Sequence, residues 1–364
     1  MEKSQVYFTN FRARPGYNLL QKLEKLIKKA GIANINFENK YVAIKIHFGE
    51  PGNLAYLRPN YSKVVADVVK ELGGKPFLTD CNTLYVGGRK NAYLNGFTPF
   101  STGCHVIIAD GLKGTDEEYV EINQEYVKTA KIGRAIMDAD VFISLNHFKG
   151  HEMTGFGGAI KNIGMGCGSR AGKMEMHSSG KPEVILEKCR KCKQCIKICA
   201  HGAISYGEDG KAIIDHNKCV GCGRCIGICN FDAIKSPNDE ANDVLNKKMA
   251  EYALAVVKDR PQFHVSLICD VSPNCDCHSE NDAPIVPNIG MLASFDPVAL
   301  DKACADLVNS QEALSNSRLS ENIEKNIKEK DNIHINHPET NWESQIEHGE
   351  KIGLGTSNYE LIKI

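Results

Sequence analysis

Eight cysteines fall into two copies of one spacing. Cys189, Cys192, Cys195 and Cys199 form C-x2-C-x2-C-x3-C, and Cys219, Cys222, Cys225 and Cys229 repeat it. Two-residue gaps let a tight loop wrap an inorganic cube and turn three thiolates inward. The fourth cysteine, after a three-residue gap, reaches the neighbouring cube. The spacing therefore predicts two [4Fe-4S] clusters: one on Cys189, Cys192, Cys195 and Cys229, the other on Cys219, Cys222, Cys225 and Cys199. Structural zinc is the competing reading. Zinc usually takes two separated C-x2-C pairs around a tetrahedron, so a doubled four-cysteine run suits it poorly.

The segments after the fourth cysteines also repeat. Cys199-Ala-His-Gly-Ala-Ile204 answers Cys229-Asn-Phe-Asp-Ala-Ile234. The Ala-Ile pairs are expected to pack beside the clusters and exclude water. Gly221, Gly223 and Gly227 leave room for close backbone approach and N–H···S bonds. Residues 181–238 resemble two-cluster bacterial ferredoxins across about fifty residues, which is the span of such a module. One departure is visible: Ala200 and Asn230 stand where that family usually has proline. No ligand is lost by it.

The flanking sequence reads as α/β. Leu19, Leu20, Leu23, Leu26 and Ile27 repeat at helical spacing, with Gly31 as a stop. Tyr41–Ile46 reads as a buried strand. Val64, Val65, Val68, Val69 and Leu72 give a helix closed by Gly73-Gly74. Strand-like runs follow at 77–79, 106–108 and 141–145, then at 264–268 and 289–293. Helical stretches separate several of them, which favours a mostly parallel sheet. Residues 242–258 read as helix, and Asp296-Pro297 as the N-cap and first turn of another. Residues 310–340 read as polar surface helix and loop. The expected organisation is one α/β domain, residues 1–180 and 239–364, interrupted by an inserted two-cluster module at 181–238.

Acidic and basic residues nearly cancel, at a formal net charge of −1. That argues against a nucleic-acid groove or a general anionic-membrane surface. The chain starts without an apolar signal core, and no run approaches a membrane span. The expectation is a cytoplasmic protein of a low-oxygen cell. In that compartment its fifteen cysteines serve as metal ligands or reactive thiols rather than disulfides.

In an open α/β sheet, ligands collect beyond the carboxyl ends of the strands. There the sequence places His47 and Glu50, Asp80-Cys81-Asn82, Asp110, Asn146-His147-Phe148-Lys149-Gly150-His151, and Cys269-Asp270. Strand ends are polar in any such fold, because they meet water and turns; the recurrence over several strands points to a site. His47, His147 and His151 are candidate acids, bases or ligands, because imidazole titrates near neutral pH. The glycines from Gly155 to Gly168 are expected to turn backbone N–H groups toward a ligand. With Lys161 and Arg170, they predict an anionic small-molecule substrate. Neither a Walker loop nor a G-x-G-x-x-G fingerprint is present. Cys275-Asp276-Cys277-His278 sets two thiols one residue apart. With Cys167, His147, His151 or His177, Cys275 and Cys277 could hold an additional metal ion or form a redox dithiol. Cys104, Cys269 and Cys304 read as buried and inert.

Two stretches, Asn146–Gly164 and Ser294–Asp301, resemble the signature of an uncharacterised domain family often fused to a ferredoxin module in anaerobic bacteria and archaea. The resemblance implies this architecture and no reaction. A more distant likeness to the N-terminal fold of nickel-dependent lactate racemase has no matching residues and transfers none.

Three functional classes remain. The first is an iron–sulfur oxidoreductase fed by a small electron donor or acceptor protein, with His47, His147, His151, Lys161 and Cys167 as candidate catalytic residues. The second is a non-catalytic carrier or a maturation partner docking on another redox enzyme. The third, an isomerase or hydrolase with structural clusters, has no G-x-S-x-G, H-E-x-x-H or paired-carboxylate motif behind it.

Overall fold

The computed structural model describes residues 3–83, 89–112, 114–177, 181–199, 201–219, 225, 229, 231, 233–235 and 239–364. Its centre is an eight-stranded sheet. In chain order the strands of this sheet are β1 (Ser4–Asn10), β2 (Tyr41–Lys45), β3 (Lys75–Asp80) and β4 (His105–Ile108). Two hairpin strands follow, β5 (Glu117–Glu121) and β6 (Thr129–Gly133), before β7 (Val141–His147) returns to the sheet. A second hairpin, β8 (Lys149–His151) and β9 (Gly155–Gly157), comes directly after it. Short strands β10 (Glu183–Val184), β11 (Ile204–Tyr206), β12 (Ala212–Ile214) and β13 (Ile234–Lys235) belong to the cysteine-rich stretch. Strands β14 (Gln262–Ile268), β15 (Gly290–Ser294) and β16 (Tyr359–Lys363) complete the central sheet.

The spatial order is β16-β1-β15-β14-β7-β2-β3-β4. The run β14-β7-β2-β3-β4 is parallel throughout, and β15 is antiparallel to both its neighbours. This is an α/β fold with a mostly parallel sheet. Sequence on both sides of the cysteine-rich stretch supplies strands to it. Among the described residues, the strands of 181–235 pair with one another, β10 with β13 and β11 with β12.

Helices cover both faces, which is why the strands read as continuous apolar runs rather than alternating ones. Every residue of β7 is buried. Phe142 packs on one face with Ile160, Ile163, Met249 and Leu300; Val141, Ile143 and Leu145 pack on the other with Leu23, Leu26, Val65 and Val69. Local signals start and stop the helices where expected. Asn18 and Gln21 form a reciprocal capping box before Leu19–Lys29, and Gly31 follows it at φ 87°. Asp296 accepts the amides of Val298 and Ala299, both at 2.9 Å, ahead of Pro297–Asn309. Among the described residues no helix is long and apolar enough to cross a membrane.

The stretch 310–340 departs from the surface reading. Leu319, Ile333, His334, Asn336 and His337 are buried. Its polar side chains face inward because they bond to backbone: Asn336 Nδ2 and His337 Nε2 both donate to the Pro273 carbonyl, at 3.0 and 2.7 Å. That segment underlies the loop carrying Cys275.

Candidate functional site

Three segments converge beyond the carboxyl ends of the parallel strands: residues 47–50 after β2, the β8–β9 hairpin after β7, and the loop after β14. In that loop the His278 amide donates to the Cys275 carbonyl at 3.1 Å. The bond closes a β-turn over Cys275-Asp276-Cys277-His278 and curls the two thiols toward each other. The loop is seated on the hairpin by backbone contact. The Gly150 amide donates to the Ser272 carbonyl at 2.9 Å. A Cβ at Gly150 would lie 2.1 Å from the Pro273 oxygen, so only glycine fits.

Cys275 is the centre of the site. Its sulfur lies 3.2 Å from Lys161 Nζ and accepts the Cys277 amide at 3.4 Å. A hydrogen bond from the Cys277 thiol is the largest influence on it and holds it well below the usual thiol range. Burial opposes this, and the charges and hydrogen bonds of Lys161 and His151 reinforce it. Cys277, the proton donor of the pair, is pushed up correspondingly. Burial disfavours the charge of Lys161, yet the two sulfurs outweigh it and raise its pKa. The arrangement is a buried sulfur with an ammonium, an imidazole and a thiol around it, an environment that stabilises its anion.

His151 Nδ1 accepts the amides of Met153 and Thr154, at 3.1 and 3.2 Å. The ring proton therefore sits on Nε2, and Nε2–H is the donor toward Cys275. Burial is the main influence on His151 and lowers its pKa. At the outer end, Glu152 Oε1 takes a 2.9 Å bond from His278 Nε2. That bond raises His278 to about 9. Burial opposes ionisation of Glu152, but His151 and His278 hold it below the usual carboxylate range. The ligand atoms of His151, Cys275 and Cys277 lie within 4.8 Å of one another, as do those of Glu152, Cys277 and His278. Both groups are of a size and chemistry to hold a metal ion.

The other expected residues divide. His147 is buried beside this centre, with both ring nitrogens engaged: Nδ1 with Asp276 at 2.8 Å and Nε2 with the Cys269 carbonyl at 2.7 Å. Both ring nitrogens are thus engaged by oxygen atoms of the protein itself. Its work is to anchor Asp276, which Lys149 also contacts at 3.2 Å. His47 lies close enough for Cys275 and Asp80 to influence it, and burial lowers its pKa. Its Nδ1 accepts the Gly49 amide at 2.9 Å. Cys167 is fully buried, burial pushes it up to about 12, and its carbonyl is bonded by the Cys81 thiol.

The glycine-rich stretch folds into regular structure rather than a loop. It forms the β9 strand and the Ala159–Cys167 helix, and its glycines serve close packing. A Cβ at Gly164 would come 2.1 Å from the Met249 carbonyl, and one at Gly166 2.5 Å from Lys45 Nζ. The N-terminus of that helix is capped by Asp301, which accepts the Ala159 and Ile160 amides at 2.6 and 2.8 Å. Arg170 lies apart from Lys161, packed against Gly114 beside Asp110. The two cations thus do not form a joint anion cradle.

Two acidic residues escaped the sequence reading as site members. Glu152 has no motif around it. Glu50 stands at a strand end; its amide donates to the Asp276 carbonyl at 3.2 Å, and its carboxylate accepts from Asn91 at 2.7 Å. Burial raises it to about 7, a suitable range for proton transfer. His177, whose pKa burial lowers to about 4, also senses His151, Lys161 and Glu152. It ends the helix that leads into the cysteine-rich stretch.

In that stretch Cys189, Cys192, Cys195 and Cys229 line one pocket, with Ile196, Tyr206, Ala212, Phe231, Ala233 and Ile234. This is the crossover set read from the spacing. Cys199 and Cys229 each accept an amide through sulfur, from Ala203 and Ala233, at 3.3 Å. Ile204 and Ile234 pack with Cys195 and Cys225 in one small cluster. Cys219 is described; Cys222 lies outside the described residues, as do Gly221, Gly223, Gly227, Ala200 and Asn230.

Fold and site together define an α/β protein rich in cysteine, with histidine and cysteine groups able to bind metal. Residues 42–306 match the family described as "Domain of unknown function (DUF362)", and the chain belongs to that family. It is 29% identical over 157 residues to a thylakoid-associated protein of Synechocystis sp., a match covering 41% of this chain and 46% of that protein. Among solved structures it is similar to the lactate racemase apoprotein of Thermoanaerobacterium thermosaccharolyticum, at 10% identity and TM-score 0.42. That match covers 84% of this chain and 58% of the racemase. A Thermotoga maritima protein gives 12% identity and TM-score 0.41, over 79% of this chain and 57% of its own. The chain thus spans about half the length of these relatives.

Proposed function

We propose that this protein is a cytoplasmic iron–sulfur oxidoreductase. Two [4Fe-4S] clusters take single electrons from a small donor protein and deliver them to the centre around Cys275. The observation that carries the reading is the pocket lined by Cys189, Cys192, Cys195 and Cys229. These are the four ligands expected when the last cysteine of one run serves the cluster of the other.

The spacing supports a cube over a single ion, because zinc usually takes two separated C-x2-C pairs around a tetrahedron rather than a doubled four-cysteine run. The apolar wall and the N–H···S bonds fit the same occupant, since both tune such clusters. Continuity of chain supports delivery to Cys275. Only four residues lead from His177, beside that centre, to Lys181 at the start of the module, a span of at most about 14 Å.

Iron analysis of two variants tests the assignment. Cys229→Ser and Cys199→Ser should each lose one cluster and keep the other, with distinct residual EPR spectra after reduction. Loss of the same cluster in both refutes the crossover arrangement.

A further inference from the structure

We propose that Cys275 and Cys277 are a redox-active dithiol–disulfide couple, the two-electron acceptor on which the single electrons of the two clusters converge. The inference rests on the electron-transfer reading above and adds the chemistry of its terminus.

Geometry comes first. The β-turn closed by the His278 amide places the two sulfurs on one side, within 4.8 Å of each other. A disulfide needs about 2.05 Å between sulfurs and Cα atoms about 4.4–6.8 Å apart, which a two-residue separation across a turn supplies. Cys277 is the more exposed residue of the pair and Cys275 the buried one.

The surroundings favour a sulfur couple over a metal ion. A metal-bound histidine typically donates its second ring N–H to an acceptor. His151 does the reverse, because two backbone amides donate to its Nδ1 at 3.1 and 3.2 Å. Metal on Nε2 would have to displace the only ring proton while Nδ1 still faced two donors. Lys161 argues the same way. Its ammonium lies 3.2 Å from Cys275 Sγ, where it would oppose a divalent cation but stabilises a released thiolate.

The step balances. Each reduced cluster gives up one electron. The Cys275–Cys277 S–S bond accepts both and breaks. Cys275 leaves as thiolate beside Lys161, and Cys277 takes one proton from solvent. Reoxidation reverses this. Two one-electron carriers on one chain match the two electrons one disulfide needs.

The test uses the anaerobically purified full chain, equilibrated in buffers of oxidised and reduced dithiothreitol, then acid-quenched and alkylated under denaturing conditions. Mass spectrometry of the peptide containing Cys269, Cys275 and Cys277 reads the result, with Cys269 as internal control. The expected result is loss of labelling at Cys275 and Cys277 together, along a two-electron curve, with Cys269 labelled throughout. Cys277→Ser should leave Cys275 labelled at every potential. In the holoprotein, photoreduction of the clusters without added thiol should restore both labels. Labelling of both cysteines at every potential, or a retained metal ion lost in His151→Ala and Cys277→Ser, overturns the couple. Such a result leaves iron content and cluster EPR untouched. Failure of the electron-transfer reading shows instead as missing iron with the dithiothreitol couple intact.

Discussion

Gly150→Ala isolates the contact that seats the site on the fold. Gly150 has no left-handed φ, so alanine meets no backbone penalty and the effect is steric. The new methyl would start 2.1 Å from the Pro273 oxygen, where real contacts are not shorter than 3.0 Å. Hairpin and loop must separate by about 0.9 Å. Pro273 cannot yield freely, because its carbonyl also accepts Asn336 Nδ2 and His337 Nε2. Overpacking of this kind costs about 1–3 kcal/mol. The entropy gain from replacing glycine offsets about 0.4–1 kcal/mol of it. The expected net loss is about 1–2 kcal/mol, or a fall in Tm of a few degrees. Gly157→Ala is the control. Its methyl would meet only the flexible Lys161 Cδ and Lys149 Cε, at 3.2 and 3.3 Å, so Tm should hold or rise slightly. Thermal unfolding followed by circular dichroism, with thiolate absorbance read in parallel, decides. Equal Tm values for wild type and Gly150→Ala, or equal losses in both variants, refute the reasoning.

Three further outcomes are expected. Lys161→Met should raise the pH at which Cys275 ionises, seen as a shift of the thiolate absorbance titration, because the charge 3.2 Å away is removed. His278 is raised from 6.5 to about 9 by Glu152, so its contribution to stability is full below pH 6.5 and is lost as pH rises through 9. The wild-type Tm should therefore decline over that window, and Glu152→Gln should flatten the decline. Asp301→Ala leaves the Ala159 and Ile160 amides without their buried acceptor. It should cost about 2–4 kcal/mol from the lost cap and desolvated donors, with faster hydrogen exchange at both amides.

Much of the fold was legible because its signals are local. The apolar runs of β2, β3, β4, β7 and β14 and the caps at Asn18 and Asp296 are read within a few residues. The cysteine spacing likewise named the four thiols that share a pocket, since ligand order is a property of the chain. The glycine-rich stretch misled because glycine serves two ends alike. Space for a ligand and space for Met249 or Lys45 look the same in sequence. The partners of Lys161 and of the Ala159 helix start were not legible for a similar reason: Cys275 and Asp301 come from over a hundred residues away. Glu152 was invisible, and Glu50 was placed at a strand end without a role, because only burial and long-range contacts set them apart from other carboxylates. The hairpin β8–β9 is too short for a periodicity to show, and residues 310–340 hide buried polar groups whose acceptors lie in the Pro273 loop.

The central claim is that the doubled cysteine run carries electrons to the Cys275 centre, and one measurement addresses its foundation. Anaerobically purified protein, analysed for metal and examined by EPR after dithionite reduction, should contain about eight iron atoms per chain and show a pair of reduced [4Fe-4S] centres. About one or two zinc ions per chain with no EPR signal, the signature of closed structural sites, would contradict it.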